Sequence, residues 1–347
     1  MARLNANRRA QAAALPLTGR SKTRFRAALL GWFDRRCREL PWRANRDPYR
    51  VWVSEIMLQQ TRVAAVLEPY TRFLKRFPGV ISLAKARPAT VLAAWSGLGY
   101  YRRARRLHRA ARQIVLERRG RFPASSAEWR ALPGVGRYTA AAIASICYGE
   151  PCAVVDGNVR RVIQRLEGRR AGGLWERAGG LLSRRRPGDF NQAMMELGAL
   201  VCTPAAPRCG CCPVHAWCAG SRSLGEPQQS GAPKRAVPGL RRTARVTYAL
   251  VTQSRRVLLC RRSEDETIMP GMWELPPAPV NRSPQEEAFT LRHSIMNTTY
   301  VVTVTRVPFT AACPGEWVTA GRAGRLPLTG LARKILQHAK ILKSRNS

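Results

Sequence analysis

Acidic residues are scarce in this sequence. It contains 21 Asp and Glu against 60 Lys and Arg in 347 residues, which leaves a formal net charge of +39 at pH 7. So large an excess favours a polyanionic partner, and nucleic acid is the first choice. Lysine is scarce too, with seven of the sixty cations. An arginine-biased genome that places Arg on solvated faces would therefore account for part of the excess.

A long apolar run is also missing. No stretch approaches the roughly 20 apolar residues that a membrane-spanning helix requires, so we expect no membrane protein. Hydrophobic residues still make up 45% of the chain, enough to bury the cores of two domains, which excludes wholesale disorder. No acidic residue precedes Asp34, and residues 1–24 are interpreted as a basic tail. A mitochondrial transit peptide has a similar composition.

The ten cysteines are unevenly spread, since five fall between residues 202 and 218. This clustering favours a metal centre in a reducing cytosol over a secreted disulfide scaffold. Cys202, Cys209, Cys212 and Cys218 form a C-x6-C-x2-C-x5-C array whose thiolates can surround either Zn²⁺ or an iron-sulfur cluster. The spacing does not choose between the two, and Cys211 competes with Cys212 as the third ligand.

The periodicity predicts two domains of different class. Apolar residues recur at helical spacing from about residue 23 to residue 220, which predicts an all-α domain over residues 25–220. Residues 221–242 are rich in Ser, Gly, Pro and Gln and are interpreted as a linker. Residues 243–340 are expected to form a small α+β domain. Its predicted strands cover 246–252, 257–261 and 299–307, and its last helix covers about 328–342, with Thr329 as a cap.

A glycine pair precedes an apolar helix in the segment Leu132-Pro-Gly-Val-Gly-Arg-Tyr-Thr-Ala140. Without side chains at Gly134 and Gly136, backbone N–H groups can approach a phosphate closely, and the helix N-terminus adds its dipole. Taken alone, the pair is equally typical of an ordinary tight turn. Next to Arg137 in so basic a chain, it indicates a helix-hairpin-helix motif that holds a nucleic-acid backbone.

Two carboxylates are candidates for chemistry. Glu55 lies in a mainly apolar helical segment, where burial would raise its pKa and make it a general acid, and Gln59 is expected one turn further on the same face. Asp156 lies in Val154-Val-Asp-Gly-Asn-Val159. By residue type alone, a residue like Glu55 is more often an exposed helical glutamate, and one like Asp156 more often a turn residue or helix cap.

Seven motifs in order closely resemble those of the adenine DNA glycosylases, which belong to the helix-hairpin-helix superfamily that includes endonuclease III. The resemblance covers essentially all of residues 25–220. The motifs are Leu40-Pro-Trp42, Trp52-Val-Ser-Glu-Ile-Met-Leu-Gln-Gln-Thr61, Gly97-Leu-Gly-Tyr-Tyr101, Leu132-Pro-Gly-Val-Gly136, Val155-Asp-Gly-Asn-Val159, Phe190-Asn-Gln-Ala-Met-Met-Glu-Leu-Gly198 and the four cysteines.

The resemblance implies the roles of these residues. Glu55 would protonate the adenine and later act on the water that attacks the sugar. Asp156 would stabilise the cationic sugar or form a transient bond to it, and Asn158 would position Asp156. The metal centre would be a structural 4Fe-4S cluster with Cys212 as third ligand. Gln59 and Tyr100 would occupy the gap left by the extruded base and contact its partner.

Tyr138 stands where the endonuclease III relatives carry a lysine that attacks the sugar and allows strand cleavage. The resemblance therefore implies a monofunctional glycosylase that leaves an abasic site in an uncut strand. Thymine mismatch glycosylases of the superfamily also carry Tyr at this position. Tyr138 alone thus does not fix adenine as the substrate.

The second domain resembles, more weakly, the Nudix-like module with which adenine glycosylases recognise 8-oxoguanine. Of the acidic run that a Nudix hydrolase uses for metal, only Glu286-Glu287 remains, so we expect recognition without phosphohydrolase activity. The family often has Phe-Ser-His on the recognition loop. Here Ile295-Met296-Asn297 follows Ser294. Met296 cannot donate the hydrogen bond that the serine of the Phe-Ser-His motif donates. Ser294 or Asn297 would have to replace it, or discrimination for 8-oxoguanine would be weaker.

These inferences predict a base excision repair enzyme that hydrolyses adenine from double-stranded DNA where it pairs with 8-oxoguanine or guanine. Water is the expected cosubstrate. We expect a monomer without membrane association, in the cytoplasm of a bacterial cell and associated with its nucleoid. The alternatives are a thymine or uracil mismatch glycosylase and a non-catalytic, Arg-rich DNA-binding protein.

Overall fold

The computed structural model describes residues 17–168, 172–222, 242–266, 269–278, 287–295, 298–308 and 315–342. By their internal contacts, these residues form two compact units, each of which combines two separate stretches of chain. The first unit comprises the described residues from 17 to 60 and from 113 to 222, and the second comprises those from 61 to 112 and from 242 to 342.

The first unit is helical. Two of its helices begin at capping residues. Asp47 caps the helix that starts at Pro48 by accepting a hydrogen bond from the Arg50 N–H, and Ser125 with Glu128 forms a capping box on the helix that starts at Ser126. The helices are α1 (Gly19–Arg36), α2 (Pro48–Leu58), the end of α6 (Arg102–Arg118), α7 (Ser126–Arg130), α8 (Arg137–Tyr148), α9 (Gly157–Leu166), α10 (Leu174–Leu181), α11 (Pro187–Leu200) and α12 (Ala219–Arg222).

Helix α11 packs against α1, α8 and α9. Two glycines permit this close packing. A Cβ on Gly188 would lie 2.6 Å from the Ile146 Cα of α8, and a Cβ on Gly198 would lie 2.6 Å from the Asn158 Cβ of α9. Real Cβ atoms do not approach other atoms so closely, so both helix contacts require glycine. Asn158 is thereby fixed against α11.

The second unit combines helices with two small sheets. Its helices are α3 (Val63–Arg76), α4 (Val80–Lys85), α5 (Pro88–Ala94), the start of α6, α13 (Ala320–Ala323) and α14 (Gly330–His338). Its strands are β1 (Arg242–Leu250), β2 (Thr252–Gln253), β3 (Arg256–Arg261), β4 (Trp273–Glu274), β5 (Glu287–Ile295), β6 (Thr298–Arg306) and β7 (Glu316–Thr319).

Each sheet is built around one central strand. β6 pairs in parallel with β1 and antiparallel with β5, and β3 pairs antiparallel with β2, β4 and β7. Apolar residues of both sheets and of α14 share one core, including Val304, Val257 and Ile335, which are almost fully buried. Thr329 begins α14, and its hydroxyl accepts a hydrogen bond from the Ala332 N–H at 3.1 Å.

The helical class predicted for this part of the chain is confirmed, because every element described up to Arg222 is a helix. The predicted cap Thr329 and a strand-containing C-terminal region are confirmed as well. The two units are not separated by one linker, because residues 61–112 group with the C-terminal residues and not with the rest of the helical part. The predicted linker lies largely outside the described residues. None of the helices described here is long and apolar enough to cross a membrane.

The fit between α9 and α11 predicts the effect of Gly198→Ala. The new methyl group would press on Asn158, so the free energy of unfolding should fall by about 1–3 kcal/mol. Gly179→Ala is the matched control, because a Cβ there meets no atom within 4 Å on α10. It should be neutral or stabilise by up to about 1 kcal/mol. Denaturant unfolding of both variants measures the difference, and equal losses would contradict this packing.

Candidate functional site

Glu55 lies on α2 and is only 7% exposed. Its neighbours along the helix, Ser54 and Ile56, are buried as well, so the carboxyl has little access to water. Burial raises the pKa of Glu55 to about 7, and the negative charge of Asp156 acts in the same direction. A hydrogen bond with Tyr138 and the positive charge of Arg43 oppose this shift. Glu55 therefore keeps its proton to a much higher pH than an ordinary glutamate and is about half protonated near pH 7.

Tyr138 lies in the first turn of α8, and its hydroxyl contacts two groups. It lies 3.0 Å from the Met195 sulfur on α11 and also hydrogen-bonds with Glu55. Burial raises the pKa of Tyr138 well above its ordinary value, helped by the charges of Glu55 and Asp156. The phenol thus stays neutral, and the structure brings Glu55, Tyr138 and Asp156 into one electrostatic site.

Asp156 is the N-cap of α9. Its Oδ1 accepts a hydrogen bond from the Val159 N–H at 2.7 Å, and its Oδ2 accepts one from Asn158 Nδ2 at 3.1 Å. The predicted helix cap and the predicted site residue are therefore the same carboxylate. Both oxygens are oriented by donors, so the carboxylate keeps a fixed direction.

Arg161 extends this hydrogen-bonded chain towards the cysteines. Its Nη2 donates to Asn158 Oδ1 at 2.8 Å and to the Gly198 carbonyl at 2.7 Å, and its Nε donates to the Cys202 carbonyl at 2.8 Å. Asp156 is thus linked through Asn158 and Arg161 to the start of the cysteine-rich segment. The sequence analysis did not identify Arg161, because it looks like one of many surface arginines.

The hairpin between α7 and α8 has the predicted form. Gly134 has a φ of +82°, a conformation that favours glycine, and Gly136 is the N-cap of α8. A Cβ on Gly136 would meet no protein atom within 4 Å, so the backbone here is open to an outside group. Arg137 stacks over the ring of Trp175 with 4.0 Å between guanidinium carbon and ring centroid.

A cavity of about 590 Å³ lies beside this pair. Arg137 and Arg160 supply positive charge to its wall, and Trp175 supplies an aromatic face. Sequence analysis identified Arg137 but not Trp175 or Arg160. The remaining lining residues are Val155, Gly172, Gly173, Leu174 and Glu176.

Gln59 differs from the expectation that it shares a helical face with Glu55. α2 ends at Leu58, and Gln59 has non-helical backbone angles, followed by Gln60 with a φ of +58°. The Gln59 side chain donates a hydrogen bond to Thr139 Oγ1 at 3.3 Å. It is therefore held against α8. Tyr100 belongs to the second unit, where it is half exposed.

A buried network of ion pairs surrounds Glu196, and the sequence did not predict it. Glu196 lies on α11 and is 1% exposed; its oxygens accept hydrogen bonds from Arg38 at 2.7 and 2.8 Å and from Arg43 at 3.0 Å. Burial alone would raise its pKa, but these two arginines hold the pKa at about 2. The signal that was available is a carboxylate in the apolar segment Ala193-Met-Met-Glu-Leu197.

The four predicted cysteine ligands lie near one another. Arg165 bridges two of them, since its Nη1 lies 3.4 Å from Cys202 Sγ and its carbonyl oxygen lies 3.4 Å from Cys218 Sγ. Burial raises the pKa of Cys212 to about 11, and Cys202, Cys218 and Cys209 add to this shift. No three His, Cys, Asp or Glu side chains in the described ranges converge as ligands of a single ion.

Cys211 points elsewhere. It is exposed, and its sulfur lies 3.4 Å from the Arg208 carbonyl oxygen. Cys212 is the more buried of the two neighbours and interacts electrostatically with the other three cysteines. Four soft thiols are of the chemical type that an iron-sulfur cluster requires.

The burial of Glu55 predicts a pH-dependent stability. Its pKa is about 7 in the folded chain against an ordinary value of 4.5, so the folded state binds this proton more tightly. The free energy of unfolding should therefore fall as pH rises from about 4.5 through 7, by about 3 kcal/mol for this group. Glu55→Gln should lack this fall, whereas neutralising the exposed Glu117 should retain it. Urea unfolding at pH 5 and 8 measures both, and parallel pH profiles for wild type and Glu55→Gln would contradict the assignment.

The model of the HhH-GPD superfamily of base excision DNA repair proteins matches residues 53–172. An adenine DNA glycosylase of Mycobacterium tuberculosis (strain ATCC 25618 / H37Rv) is 43% identical over 216 residues, which cover 60% of this chain and 70% of that protein. An adenine DNA glycosylase of Rattus norvegicus is 46% identical over 228 residues, which cover 61% of this chain. The match covers only 44% of the rat protein, so the chain spans less than half of that relative.

Two solved structures resemble the helical part. A thermostable thymine-DNA glycosylase superposes with a TM-score of 0.55 and 30% identity, covering 58% of this chain and 97% of that one. Endonuclease III in a trapped covalent DNA intermediate superposes with a TM-score of 0.51 and 22% identity, covering 59% and 99%. The helices of this chain therefore have an endonuclease III-like fold. Together with the sequence relatives, this fold identifies the chain as a member of the adenine DNA glycosylase family within the HhH-GPD superfamily.

Proposed function

We propose that this chain is a monofunctional DNA N-glycosylase that releases adenine paired with 8-oxoguanine or guanine and leaves an abasic site. The observation that carries the proposal is the buried Glu55, with its pKa near 7, in one site with Asp156 and without a lysine at position 138. An exposed helical glutamate would not have so high a pKa. The family relationship supports adenine as the base.

The proposed reaction divides between the two carboxyl groups. Protonated Glu55 donates its proton to a ring nitrogen of adenine, so that the electron pair of the glycosidic bond leaves with the base. The Asp156 carboxylate, held by Asn158 and the Val159 N–H, stabilises the cationic sugar. Glu55, now ionised, accepts a proton from the water that attacks the sugar carbon and returns to its starting state.

Tyr138 supports base release without strand cleavage. A Schiff base needs a primary amine, which a phenol lacks. Its raised pKa keeps the hydroxyl neutral, so it does not supply a phenolate nucleophile either. Its proposed role is to hydrogen-bond with Glu55 and orient that carboxyl.

The duplex would be held at the N-terminus of α8. The open backbone at Gly136, the turn at Gly134 and the helix dipole suit a phosphate, and Arg137 adds a charge braced on Trp175. Gln59 and Tyr100 are proposed to fill the space of the extruded base. The partly exposed Tyr100 ring is suited to stacking on bases.

The strand-containing part of the second unit is proposed to be a Nudix-like module that reads the opposing base. Its mixed sheet around β6, its antiparallel sheet around β3 and the packing of α14 in their shared core support this assignment. Ser294 lies at the end of β5 with its hydroxyl 3.3 Å from Thr299 Oγ1. Met296 and Asn297, which replace the usual motif of the family, lie outside the described residues.

Cys202, Cys209, Cys212 and Cys218 are proposed to hold a 4Fe-4S cluster. When bound, the cluster would supply a structural cross-link for the segment that follows α11. Arg165 and Arg161 would anchor this segment to α9. No step of base release passes through the cluster.

Single-turnover cleavage of labelled duplexes tests the proposed activity. Duplexes carry adenine opposite 8-oxoguanine, adenine opposite guanine, or thymine opposite guanine. We expect adenine loss, strand breaks only after alkali, and a rate that falls as pH rises above about 7 because Glu55 ionises. Glu55→Gln should slow release by at least about a hundredfold, while Glu117→Gln should not.

Other outcomes reassign the chain. Thymine release would move it to the mismatch glycosylases, and breaks without alkali would contradict the role given to Tyr138. Duplex binding without release of any base would leave a DNA-binding protein.

Two neighbouring cysteines provide a matched test of the cluster. Cys212→Ser should lower iron content and the visible absorption of a purified cluster, because it removes a ligand. Cys211→Ser should leave both at the wild-type level, because that thiol is exposed and turned towards Arg208. Iron and sulfide analysis with absorption spectra measures both variants. Equal iron loss, or loss in Cys211→Ser alone, would refute the ligand assignment.

A further inference from the structure

The loop between α5 and α6 presents Tyr100 in an unusual backbone conformation. Gly97, Gly99 and Tyr100 have φ values of +98°, +66° and +48°. Glycine accepts such angles readily, but tyrosine does not, so the conformation of Tyr100 persists only where surrounding contacts impose it. The Tyr100 ring is half exposed and therefore gains little from burial. The contacts on either side of it must fix its position.

One set of contacts comes from the adjacent helices. The Trp95 indole N–H donates to the Gly99 carbonyl at 3.2 Å. Arg103 Nη2 donates to the Leu98 carbonyl at 3.1 Å, and its guanidinium lies 5.3 Å from the centre of the Tyr100 ring. These contacts hold the middle of the loop, but they come from the same short stretch of chain.

A second set comes from residues more than 150 positions away in the same unit. Arg333 Nε donates to Ser96 Oγ at 2.9 Å, directly before the loop, and the Tyr101 hydroxyl donates to the Leu328 carbonyl at 3.4 Å, directly after it. Ser96 is fully buried and Tyr101 is 6% exposed. Further along α6, Arg105 donates to the Pro270 carbonyl. Both ends of the loop are thus tied to the C-terminal region.

The C-terminal residues that contact the Tyr100 loop are themselves held by hydrogen bonds. The Trp273 N–H donates to the Pro327 carbonyl, and the Thr329 N–H donates to the Trp273 carbonyl, both at 2.9 Å. Thr329 also caps α14, the helix that carries Arg333. The segment from Pro327 to Arg333 is therefore part of the sheet core and not a mobile tail, which makes it a rigid support.

We propose that Arg333 and the Leu328 carbonyl position the Tyr100 loop for insertion into duplex DNA. The C-terminal region then contributes to duplex binding through Tyr100, in addition to any contact that it makes with the opposing base. This inference rests on the proposed role of Tyr100. Arg333 and Leu328 act as positioning groups and contact no DNA themselves.

Duplex affinity in the full chain tests the coupling. All proteins carry Glu55→Gln, so that the labelled duplex with adenine opposite 8-oxoguanine stays intact during fluorescence anisotropy. Arg333→Met should weaken binding by about three- to tenfold, as expected for one hydrogen bond. In a Tyr100→Ala background, the same change should have no further effect, because Arg333 acts only through Tyr100. Ser96→Ala removes the hydroxyl that accepts the hydrogen bond from Arg333. It should therefore weaken binding as Arg333→Met does, and only when Tyr100 is present.

Arg322→Met is the matched control. Arg322 pairs with Glu316 at 3.1 Å on the surface of the same unit, so this change removes the same charge away from the loop. It should change the affinity less than twofold in either background. The proposal would be overturned if Arg333→Met weakened duplex binding equally with Tyr100 present and in the Tyr100→Ala background. It would also be overturned if Arg333→Met did not weaken binding with Tyr100 present. If Arg333→Met does not fold, Ser96→Ala decides by the same criteria. Failure of the proposed activity would appear separately, as wild-type protein that releases no adenine.

Discussion

The close packing of α11 against α8 and α9 is the constraint on which the site depends. Gly188 and Gly198 let the backbones touch, and other faces of α11 then reach the site and its surroundings. Met195 contacts the Tyr138 hydroxyl, and Glu196 neutralises Arg38 and Arg43, whose charges would otherwise be partly buried without a partner. The geometry of the two carboxyl groups is therefore set by a helix that supplies neither of them.

The proposed chemistry follows from two carboxyl groups in different surroundings. Burial favours the neutral form of Glu55 and outweighs the hydrogen bond with Tyr138, which favours the charged form. Asp156 receives two hydrogen bonds at a helix N-terminus, where a negative charge is favoured. One chain thus provides a buried carboxyl group and a hydrogen-bonded one, the pair that the proposed base release through a cationic sugar requires. The positive charge of Arg43 keeps the pKa of Glu55 from rising further.

Sequence reasoning succeeded where the signal was local. The caps at Asp156 and Thr329, the turn at Gly134 and the burial of Glu55 all follow from residues within a few positions. It failed where partners are distant: Glu196 lies 158 positions from Arg38, and Trp175 lies far from Arg137 along the chain. The end of α2 before Gln59 was also missed, although the polar residues Gln59, Gln60 and Thr61 follow its apolar segment directly. Long-range ion pairs leave no periodic trace in a sequence.

The discontinuous make-up of the two units has a consequence for how the chain folds during synthesis. Residues 61–112 form their unit with the described residues from 242 to 342, and residues 113–235 lie between those two stretches of the sequence. At translation rates of about 5–20 residues per second, α3 to α5 wait roughly 6–25 s before the strands that complete their unit are made. During that interval the hydrogen bonds that join the two stretches, from Arg333 to Ser96 and from Tyr101 to the Leu328 carbonyl, cannot yet form.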